Sequence, residues 1–522
     1  MSKLTPLPKR LHNILFHTHT VSGIVLSFVL FVIFFCGAIS LFRHELYKWE
    51  NSMARFESSK KVDYNKVVNI LKNNSVCLLL DQGLSIIPPK NENPFVKVFY
   101  AEEQNGGEIK RKTASIDPRS YIFHNDLPQK TTLTNTIYRL HYLRQIPIIG
   151  IYISGFAGLF LIFAMVTGLL VHWKNIVEKF HAFQWKGSWK RIWAEGHISL
   201  GFLTLPIQFI YGVSGALLGL SILLLLPSLF LFGGDRNKVF EVIRPEFAIQ
   251  YDKEAPELQD TVSLNNLYKT ISNTYPNFNV TRISLQNFNR EDGTATLYYT
   301  DHKGLMGDGT TVFNLKDATV AYNSIPYQKA YASSTFALLI KLHYVTFGGL
   351  ALKIIYFILV LITCYVITSG NMLWQAARNN KKYTDKQRKF HFQVTRVYLS
   401  ITFSLVCATA IIFIGNKLIP LEMHNRVLYV NTIFFSGWLL IFLLGLLYKS
   451  FKSITKFNLI TLSILSFGVA FINGLITGDW MWKAFKNHQY YVAYIDLIWA
   501  VTAIISLVIF IKIKKDAPAI EH

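Results

Sequence analysis

Acidic residues are scarce in this chain. Asp and Glu number 31 against 53 Lys and Arg, and charged residues of both signs fill only 16% of the 522 positions. Cysteine is scarcer still. Of the four, Cys36, Cys364 and Cys407 lie in apolar runs, and Cys77 stands alone in a polar stretch. No two have metal-ligand spacing, which excludes a disulfide framework and a zinc ribbon. No Gly-x-Gly-x-x-Gly follows a strand pattern, and neither a Walker A sequence nor a His-Glu-x-x-His pair occurs. No nicotinamide, flavin, ATP or zincin site is therefore legible, and no catalytic acid, base or nucleophile can be named.

What the chain has in abundance is apolar sequence: 51% of residues are hydrophobic and 15% aromatic. Several uninterrupted runs exceed the roughly 18 to 20 residues that cross a bilayer, so the surroundings of this protein are lipid. The net charge of +22 first suggests nucleic acid, but the positions of the basic residues exclude that partner. They cluster in short loops between apolar runs: Lys3, Lys9 and Arg10; Lys174 to Arg191; Arg378 to Lys389; Lys449, Lys452 and Lys456; Lys512, Lys514 and Lys515. This is the positive-inside pattern of a membrane protein. One orientation satisfies all five clusters, with both termini cytoplasmic. The first apolar run is full length and lacks a small-residue cleavage site, so it reads as a retained span.

In chain order, the expected elements are a first span from about Thr20 to Phe42, a polar insert, and a second span from about Ile146 to Trp173. The run from His197 to Phe232 is 36 residues long, about 54 Å as helix, too long for one crossing and too short for two. It is read as a third span to about Leu220, then an apolar surface segment. A second insert and a fourth span (Leu350 to Trp374, within a helix already containing His343) follow. Four more spans run at about Val394–Ile414, Val427–Tyr448, Leu459–Ile476 and Tyr491–Ile511. Each insert pairs one helix pattern (Asp63–Lys72; Ser263–Ile271) with strand patterns: Val96–Tyr100 and Thr113–Asp117, then Asn279–Ser284, Ala295–Tyr299 and Thr311–Leu315. The divisions are thus 1–43, 44–136 (insert), 137–232, 233–335 (insert), 336–380 and 381–522. The fold class is a polytopic α-helical membrane protein of about eight spans with two small α+β inserts, which this orientation places in the periplasm.

The core is internally duplicated. Tyr138-Arg-Leu-His-Tyr-Leu143 returns as Ile340-Lys-Leu-His-Tyr-Val345, and a glycine follows each histidine by 27 residues, at Gly168 and Gly370. Spans one and three share His-x3-Gly, with Gly-Ala fourteen residues later: His19, Gly23, Gly37-Ala38 and His197, Gly201, Gly215-Ala216. Parallel repeats of this kind pack about a pseudo-twofold axis along the membrane normal. The symmetry pairs His141 with His343 at the outer end and His19 with His197 at the inner end. Gly23 and Gly201, one turn from their histidines on the same helix face, leave room for a flat ring.

Two histidines on facing helices, without Cys, Asp or Glu nearby, suit a bis-histidine b-type haem better than zinc, which wants three or four ligands. Two haems, one near each face, would carry electrons across the bilayer. Arg139 and Lys341 are candidate propionate partners. His17 points to a different face from His19, so the two cannot serve one iron; His17, His172 and His391 are the alternative ligands, the last two for an inner site or for a further cofactor. His424, before the sixth span, lies on the outer side, and His12, His44, His124, His181, His302, His488 and His522 read as solvent or interface residues.

The span-flanking histidines, the His-x3-Gly openings, Thr167-Gly168, and the strand–Asp–turn texture of Ala114-Ser-Ile-Asp-Pro118 resemble the PepSY-associated transmembrane-helix family over about residues 10–380. Phe313-Asn-Leu-Lys-Asp317 is similar in the second insert. The chain departs from the family in one respect: Tyr, not Arg, follows His141 and His343. The resemblance implies an iron-regulated protein of the bacterial inner membrane and a haem-containing ferric-siderophore reductase, with His141/His343 and His19/His197 as the ligand pairs. The electron donor would be quinol or a cytoplasmic reductant. Other readings are a siderophore or metal permease, and a non-enzymatic envelope module that binds a partner protein through its inserts.

Overall fold

Apolar runs longer than a bilayer is thick leave the backbone no hydrogen-bond partners but its own, so they fold as helices. In the computed structural model, the described residues are 7–58, 61–75, 77–104, 107–125, 133–175, 188–252, 254–301, 304–305 and 307–513. His181, His302 and His522 lie outside them. Eight helices among these residues are long and apolar enough to cross a membrane: the protein is a multi-pass membrane protein. The chain divides into two compact units, Met1–Ser52 with Thr132–Ser221 and Ile354–His522, and Met53–Thr131 with Ile222–Lys353.

In the first unit, α1 (Lys9–Ser40) starts well before the expected Thr20, with Pro8 immediately ahead of it, so His17 and His19 are both helical. A short α2 (Arg43–Glu50) follows. After the first insert come α4 (Leu133–His141) and α5 (Ile149–Val171), then α6 (Trp189–Gly219). The long third run breaks at Leu220, as its length demands, and α7 (Ser221–Leu231) continues it. Small residues bring α5 and α6 into backbone contact. A Cβ on Gly219 would lie 2.5 Å from the Gly155 Cα, and one on Gly158 would lie 2.9 Å from the Ala216 nitrogen; such close approach is the usual basis of helix association in lipid. Ala216 is one of the Gly-Ala residues that mark the repeat.

The last four spans are α12 (Asp385–Leu418), α13 (Arg426–Gly445), α14 (Phe451–Thr477) and α16 (Tyr490–Lys512), with a short α15 (Met481–Lys486) between the last two. A Thr384–Gln387 capping box starts α12. Two-thirds of its apolar stretch is buried, 67% against 17–39% for the other spans, which makes α12 the centre of this group. It packs on α13 and α14.

The second unit holds α3 (Tyr64–Asn74), α8 (Arg236–Ile243), α9 (Leu264–Thr274) and α10 (Tyr331–Tyr344), the last leading into α11 (Gly349–Arg378). It also holds strands β1 (Leu84–Ile87), β2 (Val96–Glu103), β3 (Ile109–Ile116), β4 (Phe123–His124), β5 (Asn279–Gln286), β6 (Thr294–Thr300), β7 (Asp308–Asn314) and β8 (Val320–Ser324). The two inserts share one antiparallel sheet in the order β4-β3-β2-β1-β5-β6-β7-β8. The join is β1 on β5, where Ser85 faces Ser284 and their hydroxyls lie 3.3 Å apart. Their helices cap each other. Asn265 accepts from the Tyr64 amide at 2.8 Å, Asn65 accepts from the Leu264 amide at 2.9 Å, and Asn265 donates to Asp63 at 2.8 Å. Val67, Leu71, Ile86 and Val98 of one insert and Leu267, Ile271, Ile283 and Leu285 of the other belong to one core. The joining strand β1 was not among the expected strands, being only four residues of Leu-Ser-Ile-Ile.

The fourth span corrects one expectation: His343 is not on the helix that crosses. α10 ends in a left-handed Val345 (φ 50, ψ 49), and α11 begins afresh at Gly349. The first repeat does the same: α4 ends at His141, and Leu143, the counterpart of Val345, also has positive φ (56). Left-handed backbone costs ~1–2 kcal/mol for a residue with a side chain. Its presence at matching positions of both repeats marks the motif His-Tyr-Leu/Val as a helix end.

Candidate functional site

The histidine that each repeat contributes to the first unit from its opening span is fixed by the next span in sequence. His19 of α1 lies against α5: its Nδ1 is 2.9 Å from the Ala164 carbonyl and 3.5 Å from the Thr167 hydroxyl. His197 of α6 lies against α11, with Nδ1 2.9 Å from the Val366 carbonyl and 3.2 Å from the Ser369 hydroxyl. A carbonyl can only accept, so each Nδ1 carries the proton and each Nε2 is left as a lone-pair donor. This is the tautomer that second-shell carbonyls impose on metal-ligating histidines.

Glycine seats each ring. A Cβ on Gly168 would come 2.9 Å from His19 Cε1, and one on Gly370 would come 3.0 Å from His197 Cε1. These two glycines are the ones that follow the outer histidines by 27 residues. The spacing therefore records a seat for the inner histidine, not a property of the outer one.

The two seated rings meet. Their centroids are 6.2 Å apart and their planes 67° from parallel. Two imidazoles that share one iron at ~2 Å each have ring centres ~6 Å apart, and their planes are free to turn about the iron–nitrogen axis. Beside His19, the position of a Cβ on Gly23 has nothing within 4 Å, and that of Gly201 beside His197 meets only Val366 at 3.6 Å. Among the described residues no three His, Cys, Asp or Glu side chains converge, so a zinc site of three or four protein ligands has no donors there. Paired imidazoles with free Nε2 atoms and open space at the flanking glycine fit a haem, whose porphyrin supplies the other four ligands.

His141 is held in the same manner. Its Nδ1 is 2.8 Å from the Ile33 carbonyl of α1, and a Cβ on Gly37 would come 2.8 Å from the ring. Burial holds this imidazole below its ordinary pKa, outweighing the Ile33 carbonyl, which favours the charged form. The ring is thus neutral, the form that binds metal. His343 is the penultimate residue of α10, in the second unit.

The remaining candidates are placed as follows. His17 is exposed on α1 beside the Phe16 ring. His172 is the residue that ends α5. His391, on α12, is packed edge-on against Trp374 at 5.0 Å and Tyr383 at 5.3 Å. Arg139 is exposed on α4. Lys341 corrects the expectation of a propionate partner. It is 7% exposed, pairs with Asp308 at 2.8 Å and donates to the Thr300 hydroxyl and the Gly304 carbonyl, so its donors are committed to β6, β7 and the loop between them. Sequence reasoning missed the seat residues Ala164, Val366 and Ser369. The pair Thr167-Gly168 and Ser369-Gly370, a hydroxyl before a glycine at equivalent positions, was their signal.

The family model for the PepSY-associated TM region matches residues 16–377, more than half of the chain. The chain belongs to this family. The match takes in both inserts and His19, His141, His197 and His343 and stops at the end of α11, so α12–α16 lie beyond it. Among curated proteins no match was found.

Proposed function

We propose that this PepSY-associated TM protein is a haem-containing reductase of the bacterial inner membrane that passes electrons outward to a ferric siderophore. The observation that carries the reading is the His19–His197 pair: two tautomer-fixed imidazoles at the 6.2 Å spacing of axial ligands. The neutral ring of His141, and the sequence repeat that makes His343 its counterpart, support a second haem held by His141. With both termini cytoplasmic, as the basic loops require, the His19–His197 site lies towards the cytoplasm, and the inserts lie in the periplasm.

Bound haem supplies one-electron transfer. The protein's own part is to hold each imidazole by its Nδ1–H, which fixes the ring's orientation and raises its basicity as a ligand. A ferric chelate reduced at the outer face releases Fe(II), for which hard oxygen ligands have lower affinity. The donor is quinol or a cytoplasmic reductant.

Protein purified from haem-replete cells should show a dithionite-reducible b-type spectrum with two haems per chain. His197→Ala and His19→Ala should each remove one haem and leave the other. In proteoliposomes carrying a reductant inside, Fe(II) should be trapped outside from an external ferric siderophore. A colourless wild-type preparation sinks the reading, and uptake of the intact chelate without reduction would make the protein a permease.

A further inference from the structure

The four spans beyond the family match converge, through buried polar side chains, on the two short helices that precede the second span. Glu50 ends α2 and is 3% exposed. Its Oε1 accepts from the Leu133 amide at 2.9 Å, and its Oε2 accepts from the Thr134 hydroxyl at 3.2 Å and amide at 3.5 Å. Leu133 and Thr134 are the first residues of α4, whose last residue is His141. A carboxylate there meets the free amides and the positive end of the helix.

Each of the four extension spans holds this arrangement. From α12, Asn416 donates to Glu50 at 2.8 Å, and Lys417 donates to the Trp49 carbonyl with its ammonium 4.1 Å from the Trp49 ring centre. From α13, Asn431 accepts from the Thr136 hydroxyl of α4, and Arg426 donates to the Asn416 carbonyl at 2.6 Å. From α16, Asp496, wholly buried, accepts from the Trp49 indole at 2.7 Å; from α14, Asn473 donates to the same carboxylate at 2.7 Å. Polar groups buried in a membrane protein are costly and are retained for a purpose. In the second repeat the corresponding helix α10 starts at Tyr331, after an Ala330 that gives it no side-chain cap.

We infer that α12–α16 are the positioning scaffold of the His141 ligand, with Glu50 the residue that transmits it. The scaffold holds α4 at its first turn and at Thr136. Those contacts set where the helix ends, and hence how the imidazole, anchored at the Ile33 carbonyl, is presented. Glu50 touches no reacting atom. This inference rests on the reading of His141 as a haem ligand.

The test uses full-length protein carrying Glu50→Ala, Glu50→Gln, Asn416→Ala or Asp496→Asn. Hydrogen exchange over residues 133–141 and the midpoint potentials of the two haems are measured in each. Glu50→Ala should speed exchange of 133–141 at least tenfold and shift or abolish the potential lost in His141→Ala, leaving the potential lost in His197→Ala in place. Glu50→Gln, which keeps an oxygen acceptor, should restore part of both. If Glu50→Ala does not accumulate, Asn416→Ala is read by the same criteria. Unchanged exchange and unchanged potentials overturn the inference, as does an equal shift of both haems. A wild-type protein with a single haem, unaffected by His141→Ala, defeats instead the assignment of His141. In that case the exchange result alone would show a scaffold for α4 without a ligand to position.

Discussion

Gly23 separates what the protein needs from what a bound ring needs. It shares a helix face with His19, and a Cβ there has nothing within 4 Å, so Ala is sterically free in the protein alone. Replacing glycine by alanine within a helix stabilises by up to ~1 kcal/mol. Gly23→Ala should therefore leave or raise the thermal stability of the haem-free protein while lowering haem content, read from the pyridine haemochrome. Unaltered haem content would show that no porphyrin occupies that space. Gly168→Ala is the opposite case. Its Cβ would sit 2.9 Å from the His19 ring, so the imidazole must shift by some tenths of an ångström. The expected outcome is a changed potential for the haem proposed at His19 and His197 and a weakened Nδ1 contact with Ala164, with the haem proposed at His141 unmoved.

At the scale of elements, the reciprocal caps of α3 and α9 weld the two inserts. Removing one capping side chain costs ~1 kcal/mol in general. Asn65→Ala and Asn265→Ala should each destabilise the sheet by about that amount, and together by an amount other than the sum, because each caps the helix on which the other stands. Thermal unfolding followed by the β-sheet infrared band measures this; strict additivity would mean that the two caps are independent. Asp63 adds a pH dependence. The Asn265 side chain, then the Lys66 amide, holds its carboxyl below the usual carboxylate range. Its contribution is therefore present above the unfolded value of ~3.9 and is lost as pH falls through the lowered folded value. Asp63→Asn should flatten the loss of sheet stability below about pH 4; a variant with the wild-type acid profile would refute this. The elements were legible where their pattern was local. Asp63–Lys72 and Ser263–Ile271 became α3 and α9, and five strand patterns became β2, β3, β5, β6 and β7. The joining strand β1 was not legible, because its four residues carry too little alternation and one of its two partners, β5, lies in the other insert.

For the whole molecule, orientation can be read with a natural probe. Cys77 is exposed in the first insert, whereas Cys36, Cys364 and Cys407 are buried. With the inserts in the periplasm, a membrane-impermeant maleimide should label right-side-out spheroplasts at Cys77, and Cys77→Ser should abolish the signal. Labelling that appears only after lysis would reverse the proposed direction of electron flow. Eight spans, two inserts and an internal duplication were all written in the sequence. Hydropathy runs and repeat spacing are properties of consecutive residues, and a bilayer admits few ways to satisfy the backbone of a twenty-residue apolar run.

Tyr138 to Leu143 and its copy were legible as a pair of histidine motifs; what seats each ring was not. Only the tertiary structure decided that Gly168 belongs to His19 and Gly370 to His197, that Lys341 serves the sheet, and that Glu50 and Asp496 tie the last four spans to α2 and α4. These are single contacts between residues far apart in the chain, with no periodicity to announce them, and they exist only once the helices have packed.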